Sequence, residues 1–271
     1  MHTNPLLVLI PVILAILLRP WDSNNLFLDA SKSDASDPDS RVLLLTAHPD
    51  DEAFFFGPTI TSLASQSSDT ELYSLCLSTG DANGLGEIRK QEFMQSLDVL
   101  GIVNGKRWVL DKAGLKDNFT ATWDAKLVAD IVRPYVLEHD ITTILTFDAG
   151  GISFHPNHKS LFHGVSYLLS TLSDPPEAYG LISLPTFAKY IGPFAPLLAK
   201  LDLTVSLALS HLGYPISNIP VSVAGARGYL TAARALTQHR SQMVWFRWLY
   251  LSFSRYMWVN EWMEIPAMAI Q

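Results

Sequence analysis

A strand-length run of mostly apolar residues, Arg41 to Ala47 (RVLLLTA), leads without a break into His48-Pro49-Asp50-Asp51-Glu52. A short continuous apolar run of this kind reads as a strand buried on both faces, and such strands belong to parallel sheets covered by helices. Leu72 to Thr79 (LYSLCLST) and Thr142 to Phe147 (TTILTF) repeat the pattern. Glu87–Leu100, Ala125–His139 and Pro156–Ser170 carry apolar residues at three- and four-residue spacing, which is the helical period. Strands alternating with helices predict an α/β fold, a mostly parallel sheet between two helical layers. In such a sheet ligands bind beyond the carboxyl ends of the strands. The residues that follow Ala47 and Phe147 are therefore the first places to look for chemistry.

The flanks of this core differ from it. Leu6 to Leu18 is uncharged and closed by Arg19-Pro20-Trp21. It falls short of the ~20 apolar residues of a spanning helix, but it has no basic residues before it and no small-x-small cleavage site after it. Residues 1–21 are read as a retained N-terminal membrane anchor, and the positive charges that follow the run orient the body of the chain to the cytosol. Residues 22–40, rich in Ser, Asp and Asn, form a solvated linker. The folded domain spans 41–240, and 241–271 is a C-terminal helix whose aromatic residues and embedded Arg247 and Arg255 suit either a membrane surface or burial against the domain.

Composition removes several classes. With 48% apolar and 17% charged residues, the chain is not globally disordered. Its 26 acidic residues outnumber 19 basic ones, so it lacks the basic footprint of a nucleic-acid binder. One cysteine, Cys76, makes no internal disulfide and suits a reducing compartment. No Gly-x-Gly-x-x-Gly follows the first strand and no Gly-x-Ser-x-Gly occurs, which argues against a dinucleotide oxidoreductase and a serine hydrolase.

Three adjacent carboxylates beside His48 repel one another, and a divalent cation would offset that repulsion. The competing explanation is that Asp50 or Asp51 merely caps the next helix. A second cluster, Asp148-Ala149-Gly150-Gly151-Ile152-Ser153-Phe154-His155-Pro156-Asn157-His158, follows the third strand. Pro156 favours the first turn of a helix, so His155 and His158 both sit at a helix N-terminus. His2, His139, His163, His211 and His239 are read as ordinary surface or core histidines. Imidazole and carboxylate donors suit zinc or another first-row divalent ion. Catalytic zinc takes three protein ligands and a water, which leaves surplus acids and histidines for proton transfer. That set predicts metal-assisted hydrolysis of an amide or ester.

At Ala47–Glu52 (AHPDDE) and His155–His158 (HPNH) the chain resembles the N-acetylglucosaminyl-phosphatidylinositol de-N-acetylases of the wider PIG-L/LmbE group. The segment from Ser78 to Glu92, with its Arg89-x-x-Glu92 ending, fits the same resemblance, and the aromatic tail from His239 to Met257 is similar to the membrane-bound eukaryotic branch. The resemblance implies a Rossmann-like three-layer α/β/α sandwich. It implies His48, Asp51 and His158 as ligands of a divalent metal, zinc first, with Asp50 as general base and His155 acting on the tetrahedral intermediate. Arg89, Asn157 and Asp148 are further candidates for contact with substrate. The implied reaction removes the acetyl group of an N-acetylglucosaminyl phosphatidylinositol at the cytosolic face of the endoplasmic reticulum, in GPI-anchor assembly. A non-catalytic glycan-binding subunit and a deacetylase of soluble amino-sugar conjugates are the alternatives.

Overall fold

The structure, a computed structural model, describes residues 19–22, 40–66, 70–215 and 219–269. Among these, eight strands form one sheet: β1 (Trp21–Asp22), β2 (Ser40–Thr46), β3 (Thr70–Cys76), β4 (Arg107–Val109), β5 (Thr143–Phe147), β6 (Glu177–Leu181), β7 (Val221–Val223) and β8 (Val259–Glu264). Their spatial order is β4-β3-β2-β5-β6-β8-β7-β1. The five strands from β4 to β6 are parallel, whereas β8 is antiparallel to both β6 and β7. The sheet is mostly parallel, as expected.

The eight principal helices are α1 (Asp51–Phe55), α2 (Gly57–Gln66), α3 (Gly86–Leu100), α4 (Ala125–Glu138), α5 (Pro156–Thr171), α6 (Ala195–His211), α7 (Ala226–Leu236) and α8 (Trp245–Phe253). From β2 the chain steps outward to β3 and β4, then returns to β5 on the other side of β2 and continues to β6. Right-handed crossovers in opposite directions put the connecting helices on opposite faces. Accordingly α7 packs with α2 and α3, while α4 packs with α5. Coverage on both faces explains why β5 is buried throughout and why six of the seven residues of β2 are buried.

The three expected strands correspond to β2, β3 and β5, and their ends and those of the three matched helices lie within three residues of the sequence expectation. The C-terminal segment does not form the single helix expected there. A turn at Arg240–Gln242, α8, a second turn at Arg255–Met257 and β8 follow one another. In β8, Trp262 is fully buried, stacks on Phe56 at 5.8 Å and donates its indole N–H to Thr59 Oγ1. Asn260 donates to the Phe55 carbonyl and accepts from the Thr59 backbone and hydroxyl. Aromatic density alone did not separate a surface helix from a strand buried between two others. The boundary expected at residue 240 thus falls between β7 and β8, which are hydrogen-bonded neighbours.

The apolar run expected as an anchor and nearly all of the linker lie outside the described residues. Trp21 and Asp22 are described, and they pair antiparallel with Val223 and Ser222. One described helical stretch, Gly192–His211, is long and apolar enough to cross a membrane by length and composition. Its first turns are tied to the sheet, since Ala195 and Ala199 pack with Val221, Val223 and Val259. Beyond them Leu201, Val205, Leu207 and Leu209 are exposed.

The α4–α5 contact depends on Gly164, where an added Cβ would lie 2.2 Å from Val128 Cγ1. Gly164→Ala should therefore cost roughly 1–3 kcal/mol through overpacking. Combined with Val128→Ala it should cost less than the two single changes added together, which thermal unfolding of the three variants would measure.

Candidate metal centre

β2 and β5 are neighbours, yet the chain leaves them in opposite directions. That is the topological switch point of a doubly wound sheet, where a crevice opens beyond the strand ends. His48 to Glu52 follow β2 and Asp148 to His158 follow β5, so two stretches about a hundred residues apart meet in this crevice.

The carboxylates after β2 have separate partners. Asp51 Oδ2 accepts the backbone N–H groups of Ala47 (3.0 Å) and His48 (2.9 Å). Glu52 accepts from the Asp50 backbone and from Ser96, and its Oε1 lies 2.5 Å from Nε2 of the fully buried His239. Asp50 precedes α1, but its side chain makes no capping hydrogen bond. Capping therefore does not account for it. Its carboxylate instead faces Arg89 Nη2 at 3.6 Å and Arg247 Nη2 at 3.8 Å. Asp50 has φ 114, a backbone region that L side chains rarely adopt, and such strain concentrates at functional sites.

The histidine tautomers follow from their neighbours. His48 Nε2 lies 3.1 Å from Asn157 Oδ1 and 3.3 Å from Asp117 Oδ1, both acceptors. Nε2 therefore carries the proton, and the Nδ1 lone pair is left free, 3.8 Å from Asp51 Oδ2. His158 Nδ1 faces the Gly151 carbonyl at 3.2 Å, which frees Nε2. That Nε2 is buried without an aligned hydrogen bond, although Asp51 Oδ1 is 3.2 Å away. Two groups so placed could hold one ion between them. The oxygens that hold the ring N–H groups are the outer partners that metal-bound histidines use. His155 differs. Its Nδ1 accepts from the Asn157 backbone N–H, so Nε2 is a donor. The three imidazoles bring possible ligand atoms within 4.8 Å of one another, but by this tautomer His155 offers a proton and not a lone pair.

Electrostatics agree with that division. Burial lowers His48 and keeps it neutral, despite the nearby Asp51. Burial would raise Asp51, but His158 and His48 hold its carboxyl well below the usual range. Burial also disfavours a charged His158, yet Asp51 raises it. The Asp51 carboxylate thus demands a cation beside it, whether proton or metal. Burial pushes Asp50 up to about 6 against the pull of Arg89. His155 is pushed down to about 4 by burial and the two other imidazoles. The residues fit a divalent metal with nitrogen and oxygen ligands.

The remaining candidates serve the site indirectly. Arg89 donates to the carbonyls of Pro49 and Gly80, both at 2.7 Å, and reaches Asp117 at 3.5 Å. It does not pair with Glu92, whose oxygens accept from Ser241. Gly80 is needed at this contact. Its φ is +67, and a Cβ there would fall 2.4 Å from the Arg89 guanidinium carbon. Asn157 is fully buried between His48, the Asn118 backbone and the Ala121 carbonyl. Asp148 accepts from the backbones of Gly150, Gly151 and Ser183 and from the Ser183 hydroxyl, so it holds the loop. Three residues at the site were not singled out by sequence pattern. Asp117 lies in an irregular stretch without periodicity. Arg247 was assigned to a surface helix, and His239 was read as an ordinary histidine. His239 is buried, as that reading allows, but it braces Glu52.

Residues 43–168 match the family described as PIG-L, GlcNAc-PI de-N-acetylase. A Bos taurus N-acetylglucosaminyl-phosphatidylinositol de-N-acetylase is 38% identical over 221 residues, covering 82% of each chain. An Arthroderma benhamiae protein of the same name is 33% identical, over 82% of this chain and 86% of its own. Among solved structures, the N,N'-diacetylchitobiose deacetylase of Pyrococcus horikoshii shares the fold, with a TM-score of 0.56 at 14% identity over 90% of this chain and 91% of its own.

Metal content gives a direct check of the ligand set. His48→Ala and His158→Ala should each lower the divalent metal retained by purified protein by tenfold or more, whereas His155→Ala should retain it. Elemental analysis after dialysis against a chelator measures this.

Proposed function

Because the chain belongs to the GlcNAc-PI de-N-acetylase family, and its fold is that of known deacetylases, we propose that its metal crevice hydrolyses the acetamide of N-acetylglucosaminyl phosphatidylinositol. The products are the glucosaminyl lipid and acetate, a step in building glycolipid anchors. The observation that carries the reading is the sorting of groups around one point. His48 Nδ1 and His158 Nε2 are left free beside Asp51, while Asp50 holds a carboxylate that no backbone N–H claims.

His48, Asp51 and His158 would hold the ion, zinc first, since two imidazoles and one carboxylate leave an open position. A bound divalent ion supplies polarisation of the acetyl carbonyl and a water acidified toward pKa ~7. Asp50 takes the proton from the attacking water, and the two guanidinium groups near it keep its carboxylate placed. His155 presents Nε2–H to the oxyanion, and the proton taken up by Asp50 passes to the departing amine. Arg89 and Asn157 act as positioning residues. Arg89 ties the Pro49 carbonyl to that of Gly80, and Asn157 orients the His48 ring.

The lipid substrate accounts for the apolar run Leu6 to Leu18. A tethered catalytic domain meets its substrate at the raised effective concentration of a surface. We place that surface at the cytosolic side of the endoplasmic reticulum membrane, held by residues 1–21.

Asp50→Asn keeps the shape of the side chain and removes the base. Acetate release should fall about a hundredfold or more with metal content unchanged, and release at the parent rate would remove Asp50 from the mechanism. Orientation has its own readout. Asn118-Phe119-Thr120 is a glycosylation sequon at an exposed asparagine, so a cytosolic domain predicts an unmodified Asn118. Mass spectrometry of the protein from its native membrane tests this, and a glycan there would reverse the topology.

A further inference from the structure

Beside the imidazole cluster lies a cavity of about 500 Å³, floored by Phe55, Ile152 and Ser153 and walled by Phe246, Leu249 and Phe253. It adjoins the site directly. The Phe55 ring is 5.9 Å from that of His158, and Arg247 on its wall stands 3.8 Å from Asp50. Among the described residues, two charged side chains line it, Lys189 and Arg247, and no Asp or Glu does. Lys189 donates to the Ile152 carbonyl and makes no ion pair among the described residues. Arg247 Nε is buried with no hydrogen-bond partner. An apolar chamber with an unpaired Lys189 ammonium at its wall, beside the Arg247 guanidinium that faces Asp50, is chemically matched to an anion joined to hydrocarbon.

The surroundings extend the match. Between Glu177 and Glu261 the sequence carries one acidic residue, Asp202, against seven Lys and Arg, in a chain of net charge −7. Exposed aromatic residues adjoin the lining along the chain: Trp245 and Trp248 flank Phe246 and Arg247, and Phe187 lies two residues before Lys189. The turn at Gly192–Phe194, with exposed Phe194, packs against α8. Hydrocarbon leaving the cavity would pass over aromatic surface and not into water.

The geometry points to a phosphoglyceride subsite. The cavity takes the phosphodiester and the adjoining glycerol and acyl carbons of the substrate's own lipid, with Lys189 on the phosphate oxygens and Leu249 and Phe253 against the chains. This rests on the reading that the substrate is an inositol glycolipid, and it adds which residues recognise the part of that substrate remote from the acetamide.

The test uses full-length protein and dihexanoyl phosphatidylinositol, which has no acetamide, with binding followed by titration calorimetry. Wild-type protein should bind it, and Lys189→Met should weaken binding about tenfold or more, the value of one charge-assisted contact. Lys189→Arg should restore most of the loss. Phe253→Ser should weaken binding of the phospholipid but not of inositol 1-phosphate. Added phospholipid should also raise the KM for the N-acetylglucosaminyl lipid and leave kcat alone. Equal binding by wild type and a Lys189→Met protein that melts normally overturns the subsite, as does inhibition that lowers kcat alone. A wild-type protein that binds the phospholipid through Lys189 and yet releases no acetate overturns the proposed reaction and leaves the subsite standing.

Discussion

The site depends on how backbone N–H groups at the end of β2 are satisfied. A buried strand that stops inside the protein leaves donors that need acceptors. Asp51 fills that need with one oxygen, which takes the N–H groups of Ala47 and His48, and turns its other oxygen to His158. A single carboxylate therefore ends the strand, shapes the loop and links the two halves of the crevice. Glu52 repeats the device one residue later, with an oxygen on the Asp50 backbone and the other oxygen on His239. Asp50 is the carboxylate left over, and that leaves it available for proton transfer.

The doubly wound half of the fold was legible because each of its elements carries a local signature. β2, β3 and β5 are apolar runs of strand length, and α3, α4 and α5 show helical period and recognisable ends, such as Pro156 at the first turn of α5. The metal-ligand candidates were legible for the same reason, since they follow strands in short dense motifs. Deciding among them needed three-dimensional neighbours. Spacing treats His155 and His158 alike. The Asn157 N–H on one ring and the Gly151 carbonyl on the other leave the first with a free N–H and the second with a free lone pair.

What escaped the sequence was mostly long-range. Asp117 reaches His48 from a loop with no pattern of its own, and its use depends on how Arg89 packs beneath it. Arg247 and Arg255 read as interfacial because they sit among aromatic residues. In the structure one faces Asp50 over the Phe54 ring, and the other pairs with Glu261. Trp262 and Asn260 lie in a segment that reads equally as a membrane-surface helix or as a buried closing helix, and they fill the interior as part of a strand between β6 and β7. Burial between two antiparallel neighbours and insertion at a bilayer surface select the same side chains, so composition could not distinguish them.

The backbone of Asp50 bears on how this protein can drift. Its positive φ is a conformation that glycine adopts at no steric cost. Glycine would relax the main chain, yet it would strip the buried Arg89 of the carboxylate it faces, and the loss of such a partner costs more than a strained dihedral. The charge pair thus keeps an aspartate where the backbone alone would settle for glycine.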